Sequence, residues 1–92
     1  MTWKVTSGRR FLREYKKLST NIRNAIDDEV IKIAKNLEIG VRKSGKLSKF
    51  FVHKFVFQRV LYLLAYTKDK EIRIVNLESI GPHENFYEKL QR

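Results

Sequence analysis

Over residues 2–6, apolar Trp3 and Val5 alternate with Thr2, Lys4 and Thr6, the period-two pattern of a short strand. The period then changes. Phe11, Leu12, Tyr15 and Leu18 recur at helical spacing among Arg9, Arg10, Arg13, Lys16 and Lys17, which predicts a helix from Gly8 with Ser7 as its cap. A second helix follows Ser19 or Thr20, either of which can cap it. Its stripe of Ile22, Ile26, Val30, Ile33 and Leu37 steps by 4, 4, 3 and 4 residues, and Gly40 is placed to stop it. About two residues separate the helices, so they are expected to form an antiparallel hairpin.

The basic, Gly- and Ser-bearing stretch from Val41 to Leu47 reads as a mobile loop. Lys49 to Phe57, Arg59 to Thr67 and Glu71 to Ile80 read as three strands rich in aromatic and β-branched residues. Lys68, Asp69 and Lys70 make a tight connection, Gly81-Pro82 breaks the last strand, and Glu84 to Leu90 forms a short terminal helix. The pattern predicts an α+β fold, β-α-α-β-β-β(-α), in one domain over residues 1–92. Short links favour an antiparallel sheet with the N-terminal helical hairpin on one face. Phe11, Leu12, Tyr15, Leu18 and the second helix's stripe would meet Phe51, Phe55, Leu64 and Ile74.

Composition narrows the chemistry. The 92 residues contain no cysteine, which excludes disulfides, thiolate metal sites and thiol nucleophiles. Twenty Lys and Arg against ten Asp and Glu give +10, a charge that suits a polyanionic partner: nucleic acid, a ribosome or an acidic protein. Residues 41–68 hold Arg42, Lys43, Lys46, Lys49, Lys54, Arg59 and Lys68 and no acid. This is either a solvated basic edge that blocks sheet aggregation or a groove that tracks phosphates. The most apolar run, Val60 to Tyr66, is far shorter than the roughly 20 residues a spanning helix needs, and no signal-like stretch opens the chain, so the cytoplasm is expected.

Neither histidine has partners in a metal-ligand spacing, so no metal or other cofactor is expected. The Lys, Arg, His and Tyr inventory suits RNA backbone cleavage, which needs a 2′-hydroxyl deprotonated, charge on phosphorus stabilised and a leaving 5′-oxygen protonated. His53 alternates with Phe51 and Phe55 and reads as a partly buried core histidine. Lys54 would then point to the opposite face. His83 follows Gly81-Pro82, where rigid backbone aims a side chain; it is either a turn histidine without a role or a proton carrier. Tyr87 lies one helical turn on and could stand beside it, while Phe86 suits pinning the tail to the sheet.

The run Tyr62-Leu63-Leu64-Ala65-Tyr66, followed by Ile80-Gly81-Pro82-His83-Glu84-Asn85-Phe86-Tyr87-Glu88-Lys89-Leu90, resembles toxins of the RelE/ParE superfamily of type II toxin–antitoxin modules. The resemblance implies the same β-α-α-β-β-β order and, for its RelE branch, ribosome-dependent cleavage of mRNA. It maps Lys54 onto a second-strand lysine, His83 onto the position after the final glycine as in the YafQ-like branch, and Tyr87 onto the aromatic position. Val56 and Leu63 fall where that pattern has a lysine and an arginine, and Arg59 is the arginine that a register slip would bring in. The implied catalytic set is His83, Lys54, Tyr87 and Arg59, with Lys43, Lys46, Lys49, Lys54 and Arg59 binding nucleic acid. The implied partners are a cognate antitoxin, the ribosome and mRNA. The departures at Val56 and Leu63 keep a ParE-like inhibitor of DNA gyrase as the alternative.

Overall fold

A computed structural model describes residues 3–92, so Thr2 of the first predicted strand lies outside the described residues. The elements run β1 (Lys4–Ser7), α1 (Arg9–Lys16), α2 (Thr20–Lys35), β2 (Val41–Arg42), β3 (Phe51–Phe57), β4 (Val60–Asp69), β5 (Ile74–Pro82) and α3 (Phe86–Leu90). Single 3-10 turns, Leu37–Ile39 and Gly45–Leu47, flank β2. The strands form one five-stranded sheet in the order β1-β5-β4-β3-β2.

Two expectations change here. The sheet is antiparallel except at one edge, where β1 pairs with β5 in parallel, Val5 opposite Val75. β5 is antiparallel to β4 and β4 to β3, so β1 runs in the same direction as both β5 and β3. The stretch from Val41 is also not a loop throughout: Val41 and Arg42 pair with Val52 and Phe51 as an edge strand.

The helical hairpin covers one face of the sheet. Ile26 and Ile33 are fully buried there, with Phe11, Ile22, Leu64, Tyr66, Val75, Leu77 and Ile80 around them. Ile74 does not join this group; its neighbours Val75 and Leu77 do. A bulge at the Ala65/Tyr66 register shift explains the parity. Ala65 faces Ser79 while Tyr66 faces Leu77, so Glu78 is the extra residue, and Leu77 and Ile80 both reach the helix side. Leu12, expected in the core, is 39% exposed, and Leu37 lies in the 3-10 turn beyond α2. Neither Ser7 nor Ser19 uses its side chain as a cap: Gly8 is the N-cap of α1, and the Ser19 hydroxyl makes no cap bond.

Polar side chains on this face are tied down. Glu14, the only acid in α1, accepts from the Ser79 hydroxyl at 2.8 Å and the Ile80 amide at 3.0 Å, fastening the helix to β5. The Tyr66 hydroxyl donates to the Leu37 carbonyl and accepts from the Gly40 amide, closing the end of α2 onto the sheet. Burial raises the Tyr66 phenol above its ordinary pKa. His53 is a core histidine: its Nε2 meets the Glu29 carboxylate of α2 at 2.6 Å, and Lys32 holds the other oxygen at 2.8 Å. Burial alone would raise the Glu29 carboxyl, but hydrogen bonds from His53 and Lys32 outweigh it and hold it below the ordinary carboxylate value.

The other face carries a smaller apolar cluster of Leu47, Phe50, Val52, Leu63, Ala65, Phe86 and Leu90. Here α3 lies against the sheet. Gly81 and Pro82 extend β5 rather than ending it, pairing with Leu63 and Tyr62. The β4–β5 connection correspondingly shifts to residues 70–73, because β4 continues through Asp69.

Candidate active site

The geometry begins where β5 ends. The His83 amide donates to the Leu61 carbonyl at 2.9 Å, which fixes the backbone just past Pro82 and leaves the imidazole exposed. Asn85 then adopts a left-handed φ of 59°, turning the chain into α3. Phe86 and Leu90 bury themselves on the sheet. Tyr87, on the next position of the same short helix, stands edge-on to His83, with ring centroids 6.4 Å apart and planes at 88°. It also meets Phe86 edge-on at 5.7 Å. Lys43, which follows β2, places its Nζ 4.9 Å from the Tyr87 ring centre, a cation–π contact. The Tyr87 hydroxyl is buried and, among the described residues, has no hydrogen-bond partner. An open depression of about 420 Å³ between His83 and Tyr87 is rimmed by Glu84 and Glu88.

The remaining residues named from the sequence do not all gather there. Lys54 is exposed on β3, on the α3 side of the sheet, between Val52 and Val56 and opposite Leu63. Arg59 is not in a strand. With Gln58 it forms the two-residue turn between β3 and β4, at φ values of 49° and 67°, and its side chain is exposed at the tip. Lys46 and Lys49 lie elsewhere again, in a cleft of about 430 Å³ bounded by Arg9, Arg10, Arg92 and Glu78. Four of the seven cations of residues 41–68 have described local contacts: Lys43 on the Tyr87 ring, Lys49 on the Phe50 ring, and Lys68 and Arg42. Lys68 sits against the Phe51 ring and Glu38 on the helix side, and Arg42 donates to the Ser48 carbonyl. The basic stretch is therefore not one continuous groove. Its members divide among the Tyr87 ring, the sheet face, the hairpin tip and the cleft.

Val56 is 68% exposed and Leu63 is fully buried. Leu63 is thus a core residue of the smaller cluster, and a charged side chain there would have to displace α3. Sequence reasoning missed two features. One is the Lys43 contact with Tyr87, which pairing of β2 with β3 creates. The other is the part Arg9 and Arg10 take in the cleft; their signal was an acid-free first turn of α1, where cations are locally disfavoured. Among the described residues no three His, Cys, Asp or Glu side chains converge as a metal site, and no helix is long and apolar enough to cross a membrane.

A family model described as ParE-like toxin of type II bacterial toxin–antitoxin system matches residues 5–91. The chain belongs to this toxin family. Among curated proteins, none matches the sequence significantly. Solved structures match the toxin's fold over most of its length. A chain of the RelBE2 toxin–antitoxin complex from Mycobacterium tuberculosis superposes with a TM-score of 0.80 at 19% identity, covering 90% of the toxin and 100% of that chain. A free mutant form of Escherichia coli RelE gives 0.74 at 21% identity, covering 95% and 90%. The same mutant toxin bound to an antitoxin RelBc peptide gives 0.72 at 21%, covering 97% and 94%. The toxin is therefore a RelE/ParE-superfamily protein in sequence family and in fold.

Proposed function

We propose that this toxin is a metal-independent endoribonuclease that cuts mRNA in the ribosome and so inhibits translation. The observation that carries the reading is the exposed His83 imidazole standing edge-on to Tyr87, with Lys43 over the same ring. A histidine moves protons near neutral pH without a metal. In this reading the 2′-hydroxyl gives its proton to water as its oxygen bonds to phosphorus, the P–O5′ bond breaks, and His83 gives its own proton to the leaving 5′-oxygen. Lys54 and Arg59 offset the charge gathering on the phosphoryl oxygens. Tyr87 orients the nucleotide or assists the proton, while Lys43, Lys46 and Lys49 hold the strand by its phosphates. The protein acts in the cytoplasm as a single toxin domain. Its cognate antitoxin supplies an acidic segment that covers Lys46, Lys49, Lys54 and Arg59.

A second reading follows from Val56 and Leu63, which put apolar side chains where the RelE pattern has cations: a non-enzymatic inhibitor of DNA gyrase. One experiment separates the two. Primer extension on mRNA from cells expressing the free toxin should show new 5′ ends inside translated frames, dependent on ribosomes. Intact mRNA together with gyrase-linked DNA breaks would promote the second reading instead. If the nuclease reading holds, a folded His83→Ala variant loses most of the cleavage.

A further inference from the structure

We propose that Arg10 is a positioning residue: its guanidinium grips the end of α3 and thereby sets Tyr87 against His83. The inference rests on the reading of those two rings as the reacting end. Its starting point is a local misfit. Arg10 sits in the first turn of α1, beside Arg9 and with no acid in that turn. This is the positive end of the helix dipole, where a cation is unfavourable. A residue that breaks a local rule needs a compensating contact elsewhere. Arg10 has one. Its Nη1 donates to the Lys89 carbonyl at 2.7 Å and its Nη2 to the Arg92 carbonyl at 2.5 Å. Lys89 lies in the last turn of α3, where carbonyls carry partial negative charge, and Arg92 lies two residues past its end, so a forked cation fits the pair well.

The recipient needs the support. With five residues, α3 is too short to hold helical geometry by itself. Phe86 anchors its start and Leu90 its end through apolar contact alone. Tyr87 adds no directional tether, since its hydroxyl is unpartnered and Phe86, His83 and Lys43 touch only its ring. The angle of that ring is therefore set by the backbone of α3, and the Arg10 fork is the one side-chain hydrogen-bond clamp described on that backbone. Losing it lets the helix pivot about Phe86 and swings Tyr87 away from His83. Arg9 lines the same cleft without a described bond to α3, so it shares the charge and not the grip.

The chain's two histidines make the test clean, because each reports on one face. Histidine ring resonances would be recorded for the full chain and for the Arg10→Ala, Arg10→Lys and Arg9→Ala variants. Ribosome-dependent cleavage would be measured for the same four, with kcat and KM separated. Arg10→Ala should move the His83 resonances toward those of a free histidine as the Tyr87 ring leaves. The His53 resonances, held by Glu29, should stay in place. kcat should fall roughly 10- to 100-fold with KM nearly unchanged, the usual consequence of a misplaced reacting group. Arg10→Lys, which keeps the charge but not the fork, should recover part of kcat, and Arg9→Ala should leave the His83 resonances unchanged. Unmoved His83 resonances in folded Arg10→Ala would overturn the proposal. So would an equal rise in KM for Arg9→Ala and Arg10→Ala, which would make Arg10 an ordinary phosphate contact. Shifted His53 resonances in Arg10→Ala would signal misfolding, and Arg10→Lys would then decide. A wild-type chain that cuts no mRNA would remove the proposed function, while the His83 resonances would still decide whether Arg10 sets Tyr87.

Discussion

The two faces of the sheet treat polar side chains in opposite ways. Under the helical hairpin, each one singled out above has a partner across the layer: Glu14 with Ser79 and Ile80, His53 with Glu29, Tyr66 with Leu37 and Gly40. Under α3 the apolar cluster is smaller, Lys54 is exposed, and the Tyr87 hydroxyl is buried without a partner. A satisfied polar network fixes one arrangement of a core, whereas an unsatisfied buried group costs free energy and invites a function to account for it. The histidines state the difference most directly. His53 is spent on structure, and the His83 imidazole is exposed.

The largest expected effect tests that difference. His83→Ala should lower mRNA cleavage and growth arrest by about 10²–10⁴-fold, the usual weight of a positioned acid–base group. Its thermal midpoint should barely move, since an exposed turn side chain contributes within about 0.5 kcal/mol. His53→Ala should do the reverse, costing about 1–3 kcal/mol of stability by stranding Glu29. Once corrected for the unfolded fraction, its activity should be close to wild type. Urea melts and cleavage assays on both variants check this, and a swap of the two phenotypes would mean that the faces have been assigned the wrong way round.

Truncation in each core is the next largest. Ile26→Ala removes a fully buried side chain from the larger cluster and should cost roughly 2–5 kcal/mol, lowering protection from hydrogen exchange across the whole sheet. Leu90→Ala should act locally. Exchange should quicken in α3 while β3, β4 and β5 keep their protection, because elements with few buried contacts open on their own. Uniform loss in both variants would show that the two clusters form one cooperative unit.

A smaller effect is expected at Tyr66. Tyr66→Phe keeps the ring and deletes both bonds of the hydroxyl, leaving the Leu37 carbonyl and the Gly40 amide without that partner, at a cost of about 1–3 kcal/mol. Gly40→Ala attacks the same joint sterically, because a Cβ there would lie 2.5 Å from the Tyr66 hydroxyl. Equal melting curves for wild type and both variants would show that this joint does not hold the hairpin.

How much of this was legible in the sequence depends on how far apart in the chain the cause lay. Ile22, Ile26, Val30 and Ile33 step by 4, 4 and 3 residues, so the stripe of α2 is a local pattern. The place of His53 follows from its alternation with Phe51 and Phe55. The parallel pairing of β1 with β5 joins residues about 70 positions apart, and nothing in a four-residue strand names its neighbour. The bulge at Glu78 shifted the inward parity from Ile74 to Val75 because an extra residue leaves no signature in an alternating run. β2 escaped notice because two residues in a basic, glycine-bearing stretch carry too little period to read. In the candidate site, the four-residue spacing put Tyr87 beside His83. The contacts of Lys43, Arg10 and Glu14 were not legible, since each reaches another element only through tertiary packing. Glu14 did leave a trace, as the single acid in a helix otherwise rich in cations.

The smallest expected effect concerns pH and separates the faces once more. Glu29 has its carboxyl held below the ordinary value of 4.5 by His53 and Lys32, against the opposing push of burial. A carboxyl depressed in the folded state favours folding wherever it is ionised in both states, which means above its unfolded pKa. As pH falls through that value toward the lower folded one, the unfolded chain takes up the proton first and the contribution disappears. Glu29→Gln keeps an acceptor for His53 but removes the charge, so the variant should be less stable than wild type by about 1 kcal/mol at neutral pH. The gap should narrow below pH 4.5 and close once both forms of the wild type are protonated. Urea midpoints for the two proteins across that range isolate this group, because the other carboxylates titrate identically in both. A gap that stays constant on acidification would mean that the Glu29 charge does not hold α2 to β3.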